Sequence, residues 1–255
     1  MATVYRYDDS AELAHNVGKF ILQKQAKALS KKDTFNIAIS GGSLVKVLNK
    51  CLVQDKELAD KIQWSKWNIY FCDERIVALE HEDSNYGAFK TSVLDPLLDG
   101  NENLGPTVYA INESLVGLNE NDKIAEEYES LLPQGDGGMD LILLGCGPDG
   151  HTCSLFPGEK HKYLLDESNK KVAWCHDSPK PPSDRITFTL PVLQASDALC
   201  FVAEGSGKKE IMKQIFQDRD TTLPCALINE LYENKVSWFV NDAAVDGVAV
   251  ATTKF

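Results

Sequence analysis

Asp149 and His151 stand two residues apart in the run Gly145-Cys146-Gly147-Pro148-Asp149-Gly150-His151-Thr152, which begins where the apolar stretch 140–146 ends. An acid at this spacing can fix the tautomer or orientation of an imidazole while the other ring nitrogen works as a general base. A lone loop histidine is more often structural, but the aspartate and glycine neighbours at a strand end turn the expectation toward chemistry. Four further segments carry groups suited to an anion or a polyol. In Ser40-Gly41-Gly42-Ser43 the glycines allow close backbone approach, the serines add hydroxyls, and a following helix would present free N–H groups. The same four residues equally suit a tight turn capped by Ser43. Asp73-Glu74-Arg75, followed by Ser84-Asn85-Tyr86, offers an acid for sugar hydroxyls and a guanidinium for phosphate, or else a solvated ion pair. Lys180-Pro181-Pro182-Ser183-Asp184-Arg185 and Gly205-Ser206-Gly207-Lys208-Lys209 place cations in proline- and glycine-rich loops, where solvated side chains are the default and local anion binding the alternative.

Several other chemistries fit poorly. Residues 145–150 satisfy GxGxxG after a strand, yet Pro157-Gly158 would break the helix that a dinucleotide site needs. Asp149 would also repel a pyrophosphate, and no second strand-helix-strand unit carries an acid at the usual distance of about 20 residues. Gly207-Lys208 fails as a P-loop because Val202 stands where glycine is required and Lys209 where Ser or Thr would bind magnesium. There is no GxSxG elbow. His15, His81, His161 and His176 form no HxxxH or HxH grouping, so neither a catalytic metal nor another cofactor is expected. Cys146 and Cys153 are the cysteines near the histidine, and nothing in the sequence would lower their pKa.

These loops need a scaffold, and composition says which kind. The 255 residues are 43% apolar, 9% aromatic and 25% charged, as in an ordinary globular protein. Lys and Arg number 26 against 38 Asp and Glu, a net charge of −12 that disfavours broad binding to nucleic acid or anionic membranes. Residues 1–8 show neither a basic nor an apolar leader, no apolar run approaches the roughly 20 residues of a membrane span, and seven cysteines without a CxxC pair read as reduced thiols. A cytoplasmic protein is expected. Helical spacing marks 10–30, the segment carrying Leu44, Val47, Leu48 and Leu52, and 83–98, 120–132 and 208–216. Strand-like runs occupy 35–40, 67–72, 107–111, 140–146, 172–176, 186–190, 198–203, 226–231 and 236–241, with a turn at 135–138. Strands alternating with helices predict a single α/β domain over 1–255, with a mostly parallel twisted sheet covered by helices on both faces. In such sheets ligands sit beyond the carboxyl ends of the strands, which is where the unusual segments fall.

Taken in order, SGGS at 40–43, DER at 73–75, SNY at 84–86, GCGPDGHTCSLFPG at 145–158, KPPSDRIT at 180–187 and GSGKK at 205–209 resemble the 6-phosphogluconolactonases, relatives of the glucosamine-6-phosphate deaminases. The resemblance spans nearly the whole chain and implies a NagB/RpiA-like fold. It further implies hydrolysis of 6-phosphoglucono-δ-lactone in the oxidative pentose phosphate pathway, without metal or covalent intermediate. His151 then corresponds to the base that activates water, and Asp149 to its assistant. Ser40, Gly41, Gly42, Ser43, Asp73, Arg75 and Lys208 are expected around the phosphate or sugar, with Arg185 a further contact. The partner implied is a small phosphosugar lactone, and a monomer is expected. Leu44-Val45 replace a common Thr-Pro, Ala78 a common proline and Cys153 a common alanine; none of these removes a polar group that the mechanism uses. Two alternatives share the fold: a phosphosugar isomerase or deaminase, and a non-catalytic phosphosugar binder. Against the deaminase, the position five after His151 is Phe156 where that family has an acid, and Arg75 follows the acid pair where it has an aromatic residue.

Overall fold

A computed structural model of the chain describes residues 2–99, 105–134 and 138–255. Its centre is explained by strands that are apolar at nearly every position. Leu141–Gly145 reads LILLG because both of its faces are covered: Leu141 and Leu143 join one hydrophobic cluster, Ile142 and Leu144 the other. In chain order the strands are β1 (Thr3–Tyr7), β2 (Phe35–Ile39), β3 (Trp67–Phe71), β4 (Asp73–Arg75), β5 (Thr107–Val108), β6 (Leu141–Gly145), β7 (Val172–Cys175), β8 (Arg185–Phe188), β9 (Leu199–Ala203) and β10 (Val236–Asn241). Seven form a wholly parallel sheet in the order β1-β10-β9-β6-β2-β3-β5.

Helix Ser10–Leu29 is capped by the Asp9 carboxylate, which accepts from the N–H groups of Ala11 and Glu12, and it buries Leu13, Val17, Phe20 and Ile21 on one face of the sheet. Helices Asn121–Leu131 and Pro224–Leu231 cover the other face through Ile124, Tyr128 and Ile228. Tyr128 does more than fill space. Its hydroxyl accepts the Phe71 N–H at 2.7 Å and so satisfies the last residue of β3.

The expectations for 172–176 and 186–190 need correction as to partners. These strands lie outside the parallel sheet and form, with β4, a second, antiparallel sheet in the order β4-β8-β7. Cys72 joins the two sheets: its N–H donates to Ile39 of β2 at 2.9 Å and its carbonyl accepts from Phe188 of β8 at 2.8 Å. The segment 226–231 is also corrected, from strand to helix. Pro224 occupies the first turn, where its missing N–H costs nothing, and Cys225 and Ile228 bury at a spacing of three. Within 107–111 only Thr107–Val108 pairs as a strand, and most of the turn expected at 135–138 lies outside the described residues. The N-terminal strand β1, parallel to β10, has no counterpart in the sequence reading.

Candidate active site

Strands β9, β6, β2 and β3 are consecutive neighbours, so the segments leaving their carboxyl ends meet above one edge of the sheet. The chain moves from β2 outward to β3 and later returns to β6 on the opposite side of β2. This reversal opens a crevice between the 40–43 loop and the 145–153 loop. A cleft of about 190 Å³ lies there. It is lined by Ser40, Gly41, Gly42, Ser43, Asp73, Arg75, His151, Arg185 and Lys208, which are all the residues expected from the sequence except Asp149. Asp149 stands behind His151 and is bonded to it. A wider depression of about 890 Å³ runs along residues 78–92, but its charged groups Glu80, His81, Glu82, Lys90 and Glu113 are exposed to solvent. The smaller cleft has the buried polar lining.

His151 Nδ1 makes a short hydrogen bond to Asp149 Oδ1, and the ring side chain remains 19% exposed. The carboxylate fixes the proton on Nδ1 and leaves Nε2 free to accept. Burial tends to raise the Asp149 pKa, but its hydrogen bond and electrostatic interaction with His151 and the nearby Lys180 ammonium outweigh it and hold the carboxyl well below the usual range. The loop is tied from several sides. The Gly147 N–H donates to the His151 carbonyl at 2.8 Å, the Cys225 N–H donates to the Gly150 carbonyl at 2.9 Å, and the Phe156 ring centroid sits 4.9 Å from that of His151. Glycine is required at 147, where a Cβ would lie 2.0 Å from His151 Nδ1.

Opposite, Gly41 lets the backbone pass Asn85, whose Oδ1 would be 1.9 Å from a Cβ at that position. Asn85 is one of the cleft residues, with Thr152, that sequence reasoning left without a role. Its Nδ2 donates to the Asp73 carbonyl at 2.9 Å, and its own N–H donates to Glu74 Oε1 at 2.7 Å. Asp73 accepts from Ser154 Oγ at 2.8 Å and faces Arg185 Nη1 at 4.0 Å. Arg185 gives most of its donors to backbone, bonding the carbonyls of Lys180 and Pro182 at 3.0 Å each, so it shapes the 180–182 loop as well as lining the cleft. Lys208 Nζ donates to the Cys146 carbonyl at 2.5 Å and keeps two further protons. Arg75 Nη1 donates to the Asp83 carbonyl at 3.0 Å.

Three buried polar atoms bordering the cleft have no hydrogen-bond partner among the described residues: Ser40 Oγ, Arg75 Nε and Thr152 Oγ1. Buried polar groups are normally paired, so a cluster of unpaired ones around a single space marks a site for a polar ligand. Arg75, Arg185 and Lys208 against Asp73 make that space locally cationic in a chain of net charge −12. Among the described residues no three His, Cys, Asp or Glu side chains converge as metal ligands, and no helix is long and apolar enough to cross a membrane.

Fold and cleft together define an α/β protein of the kind that binds a ligand where the strand order reverses. The family is shown by comparison: residues 8–238 match the family of glucosamine-6-phosphate isomerases and 6-phosphogluconolactonases, and the chain belongs to it. It is 57% identical over 254 residues to 6-phosphogluconolactonase 3 of Saccharomyces cerevisiae, covering 99% of this chain and all of that one. The crystal structure of 6-phosphogluconolactonase from Thermotoga maritima, 25% identical, superposes with a TM-score of 0.73 over 94% of this chain and all of its own. A monomeric glucosamine-6-phosphate deaminase shares the fold at 14% identity, with a TM-score of 0.72 over 95% of this chain and 98% of its own.

Proposed function

We propose that the protein hydrolyses 6-phosphoglucono-δ-lactone to 6-phosphogluconate, the lactone-opening step of the oxidative pentose phosphate pathway. One observation carries the reading: an Asp-oriented imidazole opens onto a cleft with unpaired buried donors and a surplus of cations. Nε2 of His151 takes a proton from water as its oxygen attacks C1. Backbone N–H groups of the glycine-rich loops stabilise the tetrahedral oxyanion. The C1–ring-oxygen bond then breaks, and the imidazolium returns its proton to the departing oxygen. The phosphate, held by the 40–43 loop with Arg75 and Lys208, positions the carbonyl. An activated ester needs less assistance than an amide, so one general base contributing about 10²–10⁴ together with positioning is adequate.

The expected result is turnover of the lactone well above spontaneous hydrolysis, measured by coupled oxidation of the product, with no ammonia released from glucosamine 6-phosphate. Ammonia release without lactone turnover would move the protein to the deaminase reaction. Lactone that binds but is not consumed would make it a binder.

A further inference from the structure

Lys180 approaches the Asp149–His151 pair from a different element, the loop between β7 and β8. Its Nζ lies 3.4 Å from His151 Nδ1 and 3.7 Å from Asp149 Oδ2. An ammonium has only protons to give, and the Nδ1 proton is already directed at Asp149, so the 3.4 Å contact sets a cation against the ring; the acceptor for Lys180 is the carboxylate. The position is built rather than incidental. The Lys180 carbonyl accepts from Arg185 Nη2 at 3.0 Å and Ser178 Oγ at 2.8 Å, and its N–H donates to Ser178 Oγ at 3.2 Å. Arg185 is itself buried, so the backbone that carries Lys180 is anchored to the antiparallel sheet.

We infer that Lys180 is a positioning residue that shares Asp149 with His151 and keeps the imidazole in its neutral, proton-accepting form. This rests on His151 being the base of the proposed reaction. A cation at this distance opposes protonation of the ring directly, and by engaging the second carboxylate oxygen it weakens the pull of Asp149 toward imidazolium. The other charged groups near the ring act around this pair. Lys208, Arg75, Arg185 and Asp73 line the same cleft as the ring. The thiols of Cys146, Cys153 and Cys225 complete the surroundings, with Cys225 Sγ donating to the His151 carbonyl at 3.4 Å.

The test is the pH profile of kcat/KM for lactone hydrolysis, corrected for spontaneous hydrolysis, in wild type, Lys180→Met, Lys180→Arg and His151→Asn. Lys180→Met should move the acid limb to higher pH by about 0.5–1 unit at low salt, with KM on the plateau changed less than about twofold. Lys180→Arg should keep the wild-type limb, and added salt should carry the wild-type limb toward that of Lys180→Met, because Lys180 is part exposed and screened. A raised KM at every pH with an unmoved limb would overturn the inference and make Lys180 a ligand contact. Full turnover by His151→Asn would instead reject the base itself, so the two failures are distinct.

Discussion

His151 is useful only if one ring nitrogen is occupied and the other is free, and the residues around it divide that task. Asp149 holds Nδ1, Gly147 leaves room for the ring, and Phe156 supports its face. The Asp149–His151 pair was legible in the sequence because its spacing is local. The Lys180 contact was not, because residues 29 positions apart meet only after the β7–β8 loop is brought against the Asp149–His151 pair. For the same reason DER and SNY were recognisable as segments, while Asn85 as the neighbour of Gly41 was not. Gly147→Ala forces the ring to move, since its new Cβ would overlap Nδ1. The prediction is a fall in kcat of at least about tenfold with the unfolding midpoint changed little, measured by steady-state kinetics and thermal melting. Unchanged kcat would mean that ring position is not critical.

At the scale of elements, Glu74 couples the antiparallel sheet to helix Asn85–Phe89. Its carboxyl accepts the N–H groups of Arg75, Asn85 and Tyr86 at 2.7–2.8 Å. Burial pushes the Glu74 pKa up to about 7, and these N–H groups pull against it. A folded-state pKa above the ordinary value means that the folded protein binds this proton more tightly than the unfolded chain does. The stability so gained is complete below about pH 4.5 and is lost as pH rises through about 7. Chemical denaturation of wild type between about pH 5 and 8 should therefore show declining stability from this group, and Glu74→Gln should flatten the decline. Equal slopes would remove Glu74 as its source. Sequence periodicity served well for helix 10–29 and the buried strands, where long or uniformly apolar patterns leave little choice. It failed at 226–231, because a short apolar run looks alike in a strand and a buried helix, and the deciding residue, Pro224, lies just outside the run.

For the whole molecule, the parallel sheet is the platform, and the smaller sheet is a bracket that brings β4 and β8 to the cleft. Alternating strands and helices made the first legible. The second was hidden because Asp73–Arg75 is short and polar, and because a strand pattern does not say whether its partner runs parallel or antiparallel. Core and cleft should be separable energetically. Phe239 of β10 packs against the rings of Tyr5 and Phe20, with centroids 4.9 and 5.3 Å away, far along the sheet from the 40–43 loop. Phe239→Ala should cost about 3–5 kcal/mol of stability in denaturant titrations while leaving KM unchanged in the folded fraction. A raised KM would show that sheet and cleft are not independent.

The most direct measurement is lactone turnover, above the spontaneous background, by His151→Asn beside wild type, with both folds verified by circular dichroism. If an oriented imidazole delivers water to the carbonyl, kcat/KM falls by about 10²–10⁴ while 6-phosphogluconate still binds the cleft. A folded variant that hydrolyses the lactone at the wild-type rate would contradict it.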